Sequence, residues 1–148
     1  DTAPSSTVFT LGNSDNAWNV SGGTYMAYCW HEVPGFSKFG SYTGNGSSQG
    51  VFVYTGFRPA WVLVKDTSTA ENWRLFDNKR STGNQVNKHL FPSNANTEST
   101  ETGLDFLSNG FKLRDGDAHQ NGSGNTYVYM TFAERPSETI FGLDANAR

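Results

Sequence analysis

Thr126-Tyr127-Val128-Tyr129-Met130-Thr131-Phe132-Ala133-Glu134-Arg135-Pro136 repeats the pattern of Thr24-Tyr25-Met26-Ala27-Tyr28-Cys29-Trp30-His31-Glu32-Val33-Pro34. The offset is 102 residues and needs no gap; it also aligns Phe9 with Phe111, Leu11 with Leu113, Asn19 with Asn121, Ser21 and Gly22 with Ser123 and Gly124, and Phe39 and Gly40 with Phe141 and Gly142. Self-similarity at a fixed offset marks a unit that the fold uses more than once. Each copy runs through a short apolar-alternating piece, an Asn/Ser/Gly turn, a strand opening on Thr-Tyr and a Glu-x-Pro exit, which predicts a hairpin. The two-residue period of a strand puts Met26, Tyr28 and Trp30 on one side, with Val128, Met130 and Phe132 in the equivalent places, and this is the expected core face. The opposite face carries Tyr25, Ala27, Cys29 and His31 in one copy and Tyr127, Tyr129, Thr131 and Ala133 in the other. Its mixed aromatic character suits a second sheet or a neighbouring subunit, with Tyr25, Tyr127 and Tyr129 as the candidate oligomer contact.

Between the copies, Gly50 to Lys65 holds a Phe52/Tyr54 alternation, a Gly56-Phe57-Arg58-Pro59 turn and the strand-like Ala60-Trp61-Val62-Leu63-Val64-Lys65. Trp73 to Asp77 supplies a further short strand, with Trp73, Leu75 and Asp77 on one face and Arg74 and Phe76 on the other. Residues 78–102 are polar and irregular apart from His89-Leu90-Phe91-Pro92, and form the expected long loop. Leu104 to Leu107 and Phe111 to Leu113, parted by Ser108-Asn109-Gly110, predict a tight hairpin. No segment sustains helical periodicity. The expected fold is therefore all-β, an antiparallel β-sandwich or jelly roll with long irregular loops.

Composition supports that class. Of 148 residues, 14% are aromatic and sixteen are Gly, so large flat side chains alternate with turn formers. Net charge is −3, which gives no basic surface for nucleic acid. No apolar run approaches the roughly 18 residues that cross a bilayer, so a soluble protein without membrane insertion is expected. Cys29 is the sole cysteine, which excludes an internal disulfide and reads as a small packing residue. The expected organisation is a linker or end of a preceding segment over 1–8, the first hairpin copy over 9–40, a main unit over 41–142 and a tail over 143–148. The offset also allows the 9–40 copy to be the closing hairpin of a preceding unit.

The stretches Thr24 to Gly46, Tyr54 to Val62, Asp105 to Leu113 and Tyr127 to Pro136 resemble an uncharacterised repeat domain of tailed-bacteriophage proteins, labelled tail fibre or minor virion protein in marine and freshwater phages. The resemblance covers most of residues 9–142. It implies a virion setting and other virion proteins as partners, and it carries no catalytic residues to transfer. A looser likeness to concanavalin A-like sandwiches rests on fold logic alone.

Glu32 and Glu134 are the carboxylates a glycan-degrading enzyme would need, but they occupy equivalent places of a repeat, whereas a general acid and its partner need unlike environments. Hydrogen bonds to turn amides, or ion pairs with Arg58 or Arg135, are the expected roles. His31, His89 and His119 lack metal-ligand spacing. Asp115, Asp117 and Asn121 place oxygen donors in one loop that calcium would accept, although a Gly-containing turn capped by its own Asp side chains is the favoured reading and no metal is expected. For a carbohydrate or other host-surface ligand, the candidate platform is Tyr42, Asn72, Trp73, Asp77 and Arg80. Arg74, Lys79 and Arg80 beside Trp73 would suit an acidic polymer. The reading is a non-catalytic virion module without cofactor, part of a tail fibre or spike in a symmetric homo-oligomer, trimer favoured, that attaches to host-surface glycan or protein through its loops. A capsid decoration protein is the alternative, and a glycan-degrading tailspike enzyme the further one.

Overall fold

The computed structural model describes residue 3, residues 5–12 and residues 19–135. Positions 13–18, including Asn13 and Asp15 of the first copy, and residues 136–148, including the expected 143–148 tail, lie outside the described residues. The chain divides into two units, Asp1–Trp30 and His31–Arg148.

The second unit is all-β and antiparallel. Its strands are β1 (Ser37–Thr43), β2 (Phe52–Tyr54), β3 (Trp61–Asp66), β4 (Arg74–Asp77), β5 (Val86–Leu90), β6 (Ser99–Leu107), β7 (Gly110–Leu113) and β8 (Thr126–Phe132). They form one eight-stranded sheet in the order β1-β8-β3-β4-β5-β6-β7-β2. Every strand sends at least one buried side chain into a single apolar cluster, from Tyr42 on β1 and Val53 on β2 to Phe111 on β7 and Tyr129 on β8. The Phe111 ring meets Tyr129 at 5.5 Å and Tyr42 at 6.2 Å although their strands lie far apart in the sheet order. The sheet therefore curls until its two ends face each other across the core, nearly as a barrel. The two layers expected of a sandwich are two halves of one continuous sheet. No helix among the described residues is long and apolar enough to cross a membrane.

Alternation decides which side chains enter. On β3, Val62, Val64 and Asp66 are buried and Trp61, Leu63 and Lys65 lie on the outer side. On β4, Arg74 and Phe76 point inward, in the alternation expected of that strand. On β8 the expected face is reversed. Tyr127, Tyr129 and Thr131 are buried, whereas Val128 is exposed and Met130 and Phe132 lie half-buried on the outer side. Tyr127 and its β1 neighbour Tyr42 can enter because their hydroxyls find partners: Tyr127 Oη donates to the Ala118 carbonyl at 2.6 Å and Tyr42 Oη to the Gln120 carbonyl at 2.7 Å. Outside, Phe132 is covered by Phe39 at 6.0 Å and Trp61 at 5.5 Å. Tyr127 and Tyr129 are core and cannot serve as the oligomer contact; of that trio Tyr25 alone is exposed.

Three further expectations are corrected. Residues 78–102 are not one long loop: β5 and the start of β6 lie within them. They escape a period-two reading because a bulge between Val86 and Lys88 breaks the alternation and Ser99 to Thr102 are polar and mostly exposed. The second repeat copy is not a hairpin, since β7 pairs with β6 and β2 while β8 pairs with β1 and β3. The first copy forms no strand over residues 19–30, and Met26, Tyr28, Trp30 and Cys29 are exposed instead of packed. The unit boundary falls after Trp30, and β1 spans residues 40 and 41.

The β6-β7 turn is as tight as the sequence predicts, Leu107 facing Gly110 across Ser108 and Asn109. Gly110 is required there by the neighbouring strand: a Cβ at this position would sit 2.1 Å from the Val53 carbonyl oxygen of β2.

The inward residues carry the stability. Phe111→Ala or Leu104→Ala is expected to lower the unfolding free energy in urea by about 3–5 kcal/mol, and Met26→Ala by less than about 0.5 kcal/mol. A Met26→Ala loss as large as that of Leu104→Ala would return the first copy to the core.

Candidate functional site

The register sorts the loops into two ends. Ser37, Phe132, Trp61 and Asp77 are linked across β1, β8, β3 and β4 at one end, and Thr43, Thr126, Asp66 and Arg74 mark the other. Each end gathers a different chemistry.

The Asp66 end is a closed polar network. Asp66, fully buried, accepts bonds from Ser68 N at 2.7 Å, Thr69 Oγ1 at 2.7 Å and Asn125 Nδ2 at 2.8 Å. Burial opposes its ionisation, but these bonds outweigh that cost and hold its pKa below the usual value. Asn121, also fully buried, stitches two loops: Nδ2 donates to Asn45 Oδ1, Ser47 O and Asp115 O, and Oδ1 accepts from Asn45 N at 3.1 Å. Gln120 Nε2 donates to Asp115 Oδ2 at 2.6 Å and to Thr102 O at 3.0 Å. The candidate calcium donors are thus not arranged around a cation. Asn121 turns its NH2 group toward Asp115, and Asp117 uses its backbone carbonyl to accept Asn121 N at 2.8 Å. Among the described residues, no three His, Cys, Asp or Glu side chains converge as a metal would need.

The expected ligand platform is dispersed. Tyr42 is in the core, stacked on Tyr127 at 5.1 Å. Asn72 and Trp73 precede β4 at the Asp66 end, where Ser93 Oγ accepts the Trp73 amide at 3.3 Å. Asp77 ends β4 and Arg80 follows it at the opposite end. Asp77 caps the turn by accepting Lys79 N at 2.9 Å and Arg80 N at 2.8 Å, and Arg80 pairs with both Asp77 and Glu98. The basic group expected to meet an acidic polymer is likewise committed elsewhere. Arg74 is buried against Glu101 at 2.6 Å with Phe91 beside it, and Lys79 pairs with Glu134.

At the Asp77 end, residues 35, 56–60, 78, 82, 108 and 133–135 line an open cleft of about 1120 Å³. Arg58 enters from the turn before β3 and Arg135 from the exit of β8, and among the described residues neither has a carboxylate within ion-pair distance. Glu134 also borders it but is held by Lys79 and by Asn78 Nδ2 at 3.4 Å, which keep its pKa low. Glu32 borders a smaller neighbouring cleft of about 500 Å³, and its carboxylate accepts the Phe39 amide at 3.1 Å. Glu32 accepts a strand amide of β1 instead of a turn amide, and Glu134 pairs with Lys79 instead of an arginine. The cleft itself was not assembled from sequence. Its signal was present as two Arg-Pro dipeptides, Arg58-Pro59 and Arg135-Pro136, lying 77 positions apart.

Asp115 gives the network a pH dependence. Burial first, with Asp117 adding like charge and Gln120 and Arg74 opposing, raises its pKa from 3.8 to about 6. The folded state then holds the proton more tightly than the unfolded chain, so this contribution is complete below the unfolded value of 3.8 and is lost as pH rises through about 6. Asp115→Asn removes that slope: in thermal unfolding, the variant's Tm relative to the parent is expected to rise between about pH 4 and pH 7. A gap that stays constant or falls contradicts a buried carboxyl.

Compared with models of protein families, residues 1–136 match DUF7483, a domain of unknown function. Searches among curated proteins and among solved structures give no match. The family model spans most of the chain, and the chain belongs to the DUF7483 domain family.

Proposed function

We propose that the domain is a non-catalytic, adhesive module of a tailed-phage virion, part of a tail fibre or spike, whose cleft at the Asp77 end contacts acidic groups on a host surface. The virion setting rests on the sequence resemblance. The observation that carries the contact is the distribution of charge. Arg74, Arg80, Arg114 and Lys79 are each tied to a carboxylate, whereas Arg58 and Arg135 border an open cleft without one among the described residues. Guanidinium groups free of internal partners present their donors to carboxylate, sulfate or phosphate in the forked geometry those groups accept. Loops on a rigid sheet hold the two arginines in place. Glu32 and Glu134 support the non-catalytic reading, because Glu32 is bonded to the Phe39 amide of β1 and Glu134 to Lys79 and Asn78 after β4. A symmetric trimer, if formed, uses a surface other than Tyr127 and Tyr129.

Binding of the protein to intact host cells, or to an acidic surface polysaccharide, tests this. Removing both guanidinium groups in Arg58→Ala/Arg135→Ala is expected to weaken binding roughly 10- to 100-fold, at about 1 kcal/mol or somewhat more for each charge-assisted contact. The Tm should stay within about 2 °C, since exposed side chains are changed. Unchanged affinity in the double variant refutes the cleft. Release of reducing sugar ends, lost in Glu134→Gln, refutes the non-catalytic reading.

A further inference from the structure

We propose that residues 8–32 are the last two strands of another unit of this same fold, and that the surface they fit is a second copy of strands β1 to β6. Units of about 102 residues then join head to tail, each closed by its own β7 and β8. This inference is independent of the arginine cleft.

The local geometry of the two copies is the same where their residues allow it. In the second copy the Gly122 amide donates to Tyr127 Oη at 2.8 Å, and in the first the Val20 amide donates to Tyr25 Oη at 2.9 Å. Asn125 N donates to the Gly122 carbonyl at 3.2 Å, and Gly23 N to the Val20 carbonyl at 3.0 Å. Gly124 has φ 79° and Gly22 φ 78°, left-handed values that favour glycine. Asn121 reaches back to the Asp115 carbonyl, and Asn19 reaches back to the Gly12 carbonyl at 3.1 Å, one position earlier in the alignment. Residues 19–25 thus already hold the turn that leads into β8.

What the first copy lacks, among the described residues, is a paired strand. In the sheet, β7 lies between β6 and β2, and β8 between β1 and β3, so neither strand pairs with the other. A chain segment with this sequence has no partner for its backbone ladder until the other strands are supplied. The side chains agree. Phe111, Leu113, Tyr127 and Thr131 are fully buried, while their counterparts Phe9, Leu11 and Tyr25 are 49%, 45% and 48% exposed and Cys29 is exposed. Large apolar side chains exposed together over one short segment mark a surface awaiting a partner. Finally, the unit boundary after Trp30 coincides with the position equivalent to Phe132, where β8 ends.

Cys29 stands at the place of buried Thr131 and is the only thiol, which makes it the reporter. In the 148-residue chain it should react with a disulfide reagent at the rate of a free thiol. An extended chain is then made by joining residues 31–109, which bring no cysteine, directly ahead of residue 8. A second version carries Ala27→Tyr to restore the ring that Tyr129 contributes to the core. In at least one version, labelling of Cys29 is expected to slow by about 100-fold or more, as a side chain does that opens only by unfolding its strand. Tyr25→Asp in that version should restore fast labelling. If Cys29 reacts in both versions as fast as in the shorter chain, whether or not the added residues fold, the proposal is overturned.

Discussion

Everything in the second unit depends on β8 being held between β1 and β3 with its tyrosines turned inward. Tyr127 joins three kinds of interaction at one residue. Its backbone lies across from Tyr42 on one side and Asp66 on the other, its ring stacks on Tyr42, and its hydroxyl is held by the Ala118 carbonyl and the Gly122 amide. A buried phenol without those two partners would cost more than its ring contributes, so the loop before β8 must close for the strand to enter the core. The network of Asn121, Gln120 and Asp115 is that closure. Its residues are polar and come from one loop, with Gln120 and Asn121 fully buried.

This arrangement assigns opposite characters to the two ends. At the Asp66 end hydrogen bonds made by Asp66, Gln120 and Asn121 fasten the loops together, although Asp115 Oδ1 and Gln120 Oε1 are buried without a partner among the described residues. At the Asp77 end the strands diverge into turns that leave Arg58 and Arg135 facing an open cleft. A sheet closed at one end and open at the other is a scaffold suited to presenting a contact surface. The reading of the module as adhesive rests on that asymmetry together with the sequence resemblance.

The fold class was legible because strand signals are local: the alternation at Trp61 to Asp66 and the Ser108-Asn109 turn each decide their own element. The repeat was legible too, but not its use. The face carrying Val128, Met130 and Phe132 is the more apolar one, and hydrophobicity alone selects it as core; the tyrosine face wins because the Tyr127 hydroxyl reaches a loop carbonyl that no linear pattern reveals. β5 escaped because the bulge after Val86 brings His89 inward, fully buried between Phe76 and Phe91. The candidate site failed for a similar reason. Trp73 and Arg80 are close in sequence but lie at opposite ends of a strand, while Arg58 and Arg135 are distant in sequence and border one cleft.

Amide hydrogen exchange on the intact chain tests the central claim most directly. The slowest amides should lie on β3 and β8, with Val64, Tyr129 and Thr131 opening only on global unfolding, while residues 24–30 exchange at nearly unprotected rates. If β8 exchanged as fast as residues 24–30, the tyrosine-faced strand would not be what holds the sheet closed.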